Sequence, residues 1–281
     1  MIRVDNLCFA YTAKPFIQNM SFDVRDAEIF GFLGPSGAGK STLQKILTGL
    51  ITAYRGSVTV DGMEVKRRDK SFYEKIGVDF EFPSLYEKLT ARENLQFFAS
   101  LYKKRTGIEP HLESVGLLAE ADKRVADYSK GMKSRLNFIK ALLHDPRYLF
   151  LDEPTSGLDP QNARQMKDII LGQKLKGKTI LLTTHNMYDA TELCDRVAFI
   201  VDGAVRALDT PRHLIMQKGA ARIQYTYDVG GREKTEVTAL HQTGNDALLM
   251  DLIRNNRLTS IHSSEPTLND LFVELTGREL V

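Results

Sequence analysis

Short apolar runs alternate with longer stretches of helical spacing along most of the chain. Glu28 to Leu33, Ser57 to Val60, Tyr148 to Leu151, Thr179 to Thr184 and Arg196 to Val201 are β-branched or aromatic runs of strand length. Between them, Ser41 to Gly49, Ala91 to Tyr102, Ser129 to Leu143 and Gln161 to Leu175 carry apolar residues at helical intervals. Alternation of this kind predicts an α/β core around a largely parallel sheet. The block Leu89 to His144 holds helix signals without a convincing strand, so a helical subdomain over about 89–144 is expected within a domain spanning 1–208. After Leu208 the pattern changes. Asp209, Thr210 and Pro211 punctuate, a short helical piece follows, and two alternating runs, Arg222 to Asp228 and Lys234 to Leu240, flank Gly230-Gly231 as a hairpin. A helix at Asn245 to Asn255, a strand at Leu258 to His262 and a last helix at Thr267 to Thr276 complete a small α+β appendage over 209–281.

The chain has 281 residues, 42% hydrophobic and 26% charged, which fits folded domains of this size and excludes a disordered chain. A formal charge of +2, from 38 basic and 36 acidic residues, gives no field that marks a nucleic-acid binder. Cys8 and Cys194 stand far apart without metal-type spacing, which suits a reducing compartment and implies no zinc. The opening MIRVDNLCFAYTAK lacks the apolar core of a secretory signal, so a cytoplasmic location is expected. No stretch approaches the roughly 20 apolar residues of a spanning helix. A membrane role would have to come from a partner.

The sharpest chemical signal is Gly34-Pro35-Ser36-Gly37-Ala38-Gly39-Lys40-Ser41-Thr42, which follows the strand Ile29 to Leu33 and opens a helix. In that context it reads as a P-loop. Its glycines let backbone N–H groups turn toward phosphate oxygens, the helix start adds a positive dipole end, Lys40 supplies charge to the β- and γ-phosphates, and the Ser41 hydroxyl can ligate Mg²⁺. Thr42 is placed to help hold the α-phosphate. A second motif, Tyr148-Leu149-Phe150-Leu151-Asp152-Glu153-Pro154, is an apolar strand ending in two acids. Asp152 is expected at the Mg²⁺ shell and Glu153 as the acid that orients and polarises the attacking water.

Together these residues resemble, over essentially the whole chain, the ATP-binding subunits of ABC transporters. That resemblance implies binding and hydrolysis of ATP with Mg²⁺, a second ATP-binding subunit in a homodimer or heterodimer, a separate multi-spanning permease, a place on the inner face of the membrane, and no nucleic-acid partner. Tyr128-Ser129-Lys130-Gly131-Met132 stands where the family commonly has LSGGQ; Ser129 and Gly131 match and would reach the γ-phosphate of ATP on the second subunit. An ordinary Ser129 N-cap uses the same geometry. Lys130, in place of Gly, would bring charge to that interface. Ser156-Gly157-Leu158-Asp159 resembles the loop that communicates between two ATP sites, and His185 resembles the switch histidine on the γ-phosphate. Tyr11 resembles the aromatic that stacks on adenine, with Phe9 competing for the role.

One departure bears on mechanism. The family usually has Gln where this chain has Glu81, in Val78-Asp79-Phe80-Glu81-Phe82-Pro83. A carboxylate can ligate Mg²⁺ or its water, and its charge near the phosphates would make ATP affinity strongly Mg²⁺-dependent. Pro83-Ser84-Leu85-Tyr86 and the following Leu89 to Leu95 resemble the border of the groove that receives a permease helix; internal packing of the subdomain is the other reading. The ending Glu265 to Phe272 with Leu275-Thr276-Gly277-Arg278 resembles that of drug-resistance exporters, which favours export over uptake. The main rival is a soluble ABC-type ATPase of DNA repair or translation, although the coiled coils, zinc modules and fused cassettes common in such proteins are not seen in this sequence.

Overall fold

The computed structural model describes residues 1–217, 222–264 and 266–277; Glu265 and Arg278 of the exporter-like ending lie outside them. The chain divides into two compact units, Met1–Leu208 and Asp209–Val281.

The first unit opens with two strands, β1 (Ile2–Phe9) and β2 (Ile17–Val24), that periodicity did not pick out. The reason is a bulge. Ile2, Val4, Leu7 and Phe9 are all buried, but the antiparallel register slips between Val4 and Leu7, and Asn6 takes a left-handed φ of 50°. The extra residue shifts the alternation by one, so the apolar positions no longer repeat every second residue. Strand β3 (Ile29–Leu33), helix α1 (Lys40–Leu47), strands β4 (Arg55–Val60) and β5 (Met63–Glu64), helix α2 (Lys70–Lys75) and strand β6 (Ile76–Asp79) follow. Next come helices α3 (Ala91–Ser100), α4 (Ile108–Ser114) and α5 (Lys130–Lys140), then strand β7 (Tyr148–Asp152), helix α6 (Pro160–Leu175), strand β8 (Thr179–Thr184), helix α7 (Met187–Leu193) and strands β9 (Arg196–Val201) and β10 (Ala204–Asp209).

These strands form two sheets. One is antiparallel in the order β2-β1-β4-β5; the other has the order β10-β9-β3-β8-β7-β6, and β9, β3, β8, β7 and β6 pair in parallel. A hairpin through Asp202 and Gly203, both left-handed, turns β9 into β10. The two sheets meet over a core in which the Phe22 ring lies 5.8 Å from Phe30 and 4.9 Å from Phe32, with Leu43, Ile46 and Leu47 of α1 buried in the same cluster. Each such side chain contributes about 1.5–3 kcal/mol of burial, so the sheets fix α1, and with it the P-loop, firmly.

Helices α3, α4 and α5 pack together between β6 and β7 in sequence. Helix α3 starts with a reciprocal cap between Thr90 and Glu93, and Ala91, Leu95 and Ala99 form its buried face at four-residue spacing. In the second unit, helix α8 (Pro211–Gln217) packs on helix α10 (Leu268–Thr276), and strands β11 (Arg222–Asp228), β12 (Glu233–Ala239) and β13 (Leu258–Ser264) pair in the order β12-β11-β13. Tyr225 and Tyr227 pack with Leu249 and Leu252 of helix α9 (Ala247–Arg254), and Asp246 both caps α9 and accepts from the Tyr225 hydroxyl at 3.0 Å. Among the described residues no helix is long and apolar enough to cross a membrane.

Candidate functional site

The three adjacent parallel strands β3, β8 and β7 run in the same direction, so the residues that follow them gather at one sheet edge, where ligands bind in open α/β folds. The P-loop follows β3, His185 follows β8, and Glu153 follows β7. At the loop's start Gly34 lies against β9: a Cβ there would stand 2.3 Å from the Ile200 carbonyl oxygen. Gly37 and Gly39 take φ values of 80° and 109°, the left-handed region open to glycine, and no side chain caps α1 at Gly39. The first N–H groups of α1 are thus available to an anion rather than spent on a side chain.

Lys40 is buried and folded back onto its own loop, donating to the Gly34 carbonyl at 2.7 Å and the Pro35 carbonyl at 3.2 Å. Burial pulls its ammonium below the ordinary lysine range, while Glu153, Asp152 and Glu81 act in the opposite sense. Ser41 is half-buried beside it. Thr42 Oγ1 lies 2.9 Å from the Tyr11 hydroxyl. Tyr11 is 60% exposed and edges onto Phe9 and Phe16, whereas Phe9 is only 7% exposed and its ring belongs to the core. Of the two aromatics, Tyr11 is the exposed one.

Asp152 is buried at the end of β7, in register with Thr183 of β8, whose hydroxyl donates to Asp152 Oδ1. Sequence reasoning missed Thr183. Its only signal was membership of a strand that neighbours β7, which local pattern does not reveal. Glu153 adopts a left-handed φ of 52°, a conformation unfavourable to a side chain with a Cβ, and its N–H donates to the Thr183 carbonyl at 3.0 Å. That turn aims its carboxylate at His185: Glu153 Oε2 lies 2.9 Å from His185 Nδ1 and accepts from the His185 N–H at 3.4 Å. Strain of this kind is characteristic of positions where geometry is held for chemistry.

Glu81 is exposed just past β6 and lines a cleft of about 80 Å³ with Asp79, Asp152 and Glu153. Behind it lies a polar network that the sequence did not announce. Asn137 of α5 donates to Asp79 Oδ1 at 2.5 Å and to the Phe80 carbonyl at 3.1 Å, while Lys140 donates to Asn137 Oδ1 at 2.6 Å and stands 4.8 Å over the Phe98 ring. Burial pushes the Asp79 carboxyl up to about 7, with Lys140 and Asn137 opposing and the nearby Asp152 charge adding to the rise.

Ser129, Gly131 and Asp159 are placed differently. Ser129 is exposed and caps α5, accepting from the Met132 N–H at 3.2 Å. Asp159 is exposed and caps α6, accepting from the Asn162 N–H at 3.0 Å, and that bond holds its carboxyl below the ordinary range. Gly131 is half-buried, and a Cβ there would lie 3.6 Å from Leu158. Within one chain these three are cap and loop positions.

The family model described as ABC transporter matches residues 17–156. A fluoroquinolones export ATP-binding protein of Mycobacterium tuberculosis is 50% identical, over 100% of this chain and 94% of the relative. The chain belongs to the ATP-binding proteins of ABC transporters. A solved structure of an ATP-binding subunit of an ABC transporter superposes on this cassette with a TM-score of 0.72 at 31% identity, over 78% of this chain and 93% of the other. A dimeric bacterial ABC transporter cassette superposes with a TM-score of 0.68 at 25% identity, over 75% of this chain and 98% of the other.

The cassette has a second concavity, an apolar groove of about 260 Å³ between the sheet domain and the helices. It is lined by Leu50, Tyr73, Phe80, Phe98, Leu101 and Lys140, among others. Tyr86 is half exposed and packs its ring 5.0 Å from Phe97 and 5.9 Å from Phe98. The Pro83 to Tyr86 segment thus packs on α3 through Tyr86, the internal-packing reading, while half of that ring stays exposed.

Proposed function

We propose that this chain binds and hydrolyses ATP to power export of a substrate through a separate membrane-spanning permease, on the inner face of the membrane. The observation that carries hydrolysis is the gathering of Lys40, Asp152, Glu153 and His185 at one edge of the parallel sheet, with Glu153 and His185 2.9 Å apart. The export reading draws support from the relative named for fluoroquinolone export.

ATP's phosphates would settle on the Gly34–Thr42 loop, and Lys40 would exchange its two loop carbonyls for β- and γ-phosphate oxygens. Tyr11 would stack on the adenine. The donors Ser41, Asp152 and Glu81 are hard oxygen ligands that fit Mg²⁺, and among the described residues no set of three or more His, Cys, Asp or Glu side chains forms a metal cage. One hydroxyl and two acids, completed by phosphate oxygens and water, is the ligand type Mg²⁺ accepts. Bound there, it would offset the charge on the β- and γ-phosphates. Glu153, fixed by its strained backbone and by His185, would orient and polarise the attacking water, while Lys40 and His185 would stabilise the charge on the transferring phosphoryl group.

Ser129 and Gly131, outside the chain's own site, suit contact with ATP on a second subunit, and Asp159 lies on the loop between. Two such subunits would close on two ATP molecules and reopen after hydrolysis. Preference of ATP for the closed pair is what would move the permease. The apolar groove beside Phe98 and Leu101 fits an amphipathic permease helix.

The test is to isolate the tagged chain from mild-detergent extracts of its native membranes. A stoichiometric multi-spanning membrane protein is expected, and Leu101→Glu is expected to release it while ATP binding persists. Recovery with ribosomes or nucleic acid instead would overturn the export reading and leave a cytosolic ABC ATPase.

A further inference from the structure

Four carboxylates, Asp79, Glu81, Asp152 and Glu153, line the cleft of about 80 Å³ beside the catalytic pair. Among its lining residues the single cation is Lys130, the first residue of α5. Lys130 reaches over the loop that follows Glu153: a Cβ on Gly157 would stand 3.6 Å from its Cε and 3.7 Å from its Nζ. Lys40 of the P-loop also feels Glu153, Asp152 and Glu81. The acids therefore have two lysines of the same chain near them, Lys40 from the P-loop and Lys130 from the start of α5.

The electrostatics call for such cations. A nucleotide entering here brings its own negative phosphates toward several acids in a partly desolvated cleft, where repulsion between like charges is screened far less than in water. Glu81 and Lys130 are also the two places where this chain carries a charge against the family's usual Gln and Gly. The fold brings these two departures, distant in sequence, to the walls of one cleft. A charge added at one wall is met by an opposite charge added at another.

We infer that Lys130 acts within its own subunit as the counter-charge of Glu81, keeping the acid-lined cleft receptive to nucleotide phosphates before a divalent cation is bound. It is a positioning residue and takes no part in bond breaking. The inference rests on the reading that ATP binds at the P-loop. It differs from the role expected of Ser129 and Gly131, which is to reach ATP on the second subunit.

The test is titration of the full-length chain with a fluorescent ATP analogue, diluted until light scattering reports a monomer so that no partner helix contributes. Lys130→Met is expected to weaken binding about fivefold in EDTA and less than twofold in excess Mg²⁺, since the cation then supplies the missing charge. Lys130→Arg is expected to bind like the unaltered chain. In a Glu81→Gln background, Lys130→Met is expected to change binding in EDTA less than twofold. Melting temperatures of the variants are expected to agree, which separates counter-charge from scaffold. An equal loss with and without Mg²⁺, or the same loss in both Glu81 and Glu81→Gln backgrounds, would overturn the inference and leave ATP binding standing. Failure of the unaltered chain to bind the analogue any better than Lys40→Ala would instead remove the ATP reading, and this inference with it.

Discussion

Replacing Glu153 by Gln removes one charge and leaves nearly everything else in place. The carboxylate side chain is only 11% exposed, and both of its contacts to His185, at 2.9 Å from Nδ1 and 3.4 Å from the backbone N, can be kept by an amide oxygen. Fold and ATP affinity are therefore expected to change little. What is lost is the negative charge that orients and polarises water, an acid–base contribution of about 10²–10⁴ in rate, or about 3–5 kcal/mol of barrier. Glu153→Gly provides the contrast. The observed φ of 52° costs a residue with a Cβ about 1–2 kcal/mol, which glycine escapes, against a backbone entropy loss of about 0.5–1 kcal/mol. That variant is expected to be as stable as the parent or slightly more so, and at least as inactive as Glu153→Gln, because the tether to His185 goes with the side chain. Phosphate release at saturating ATP, with nucleotide occupancy and melting temperature measured on the same samples, reads all three quantities. If Glu153→Gln keeps more than a tenth of the rate at equal occupancy, Glu153 is not the residue that activates water, and the geometry around His185 serves some other purpose.

Asp79 predicts a pH dependence of stability. Its folded pKa of about 7 lies above the ordinary 3.8, so between those values the folded state binds more protons than the unfolded one, and stability falls as pH rises from about 4 to about 7. Asp79→Asn is expected to flatten that slope and to gain about 1–3 kcal/mol at pH 8; parallel denaturant curves for parent and variant across this range would refute it. Gly34→Ala drives a Cβ to 2.3 Å from the Ile200 carbonyl, a backbone atom that cannot swing aside. A cost of about 1–3 kcal/mol, a lower melting temperature and an ATP affinity reduced about tenfold or more are expected, and an unchanged nucleotide titration would show that the loop tolerates the shift. Tyr11→Ala is expected to weaken ATP about three- to tenfold while Tyr11→Phe, which loses only the bond to Thr42, stays within about twofold; equal losses in both would assign the effect to the hydroxyl instead of the ring.

The sequence by itself determined the parts that rest on contiguous residues. Gly34 to Thr42 is legible because a phosphate loop is a local backbone conformation, set by glycines, one lysine and the strand and helix on either side. Strand–helix alternation gave the parallel sheet, and Gly230-Gly231 the hairpin of the second unit, for the same reason: turn chemistry and apolar period are written within a few residues of where they act. Strand β1 escaped because the bulge at Asn6 breaks the period on which such reading depends.

Only the tertiary structure decided what each acid and base meets. The pairing of Asp152 with Thr183 follows from the parallel register of β7 and β8, and the meeting of Glu153 with His185 from a left-handed turn at the end of one strand beside another. Phe9 and Tyr11, alike in sequence, were separated by burial alone. Asp79 carries no signal in the sequence; only the packing of α5 over it brings Asn137, and the same packing sets Glu81 and Lys130 on the walls of one cleft. Strand order, register and helix docking are set by the whole core at once, so contacts between residues far apart in the chain leave no trace in local periodicity.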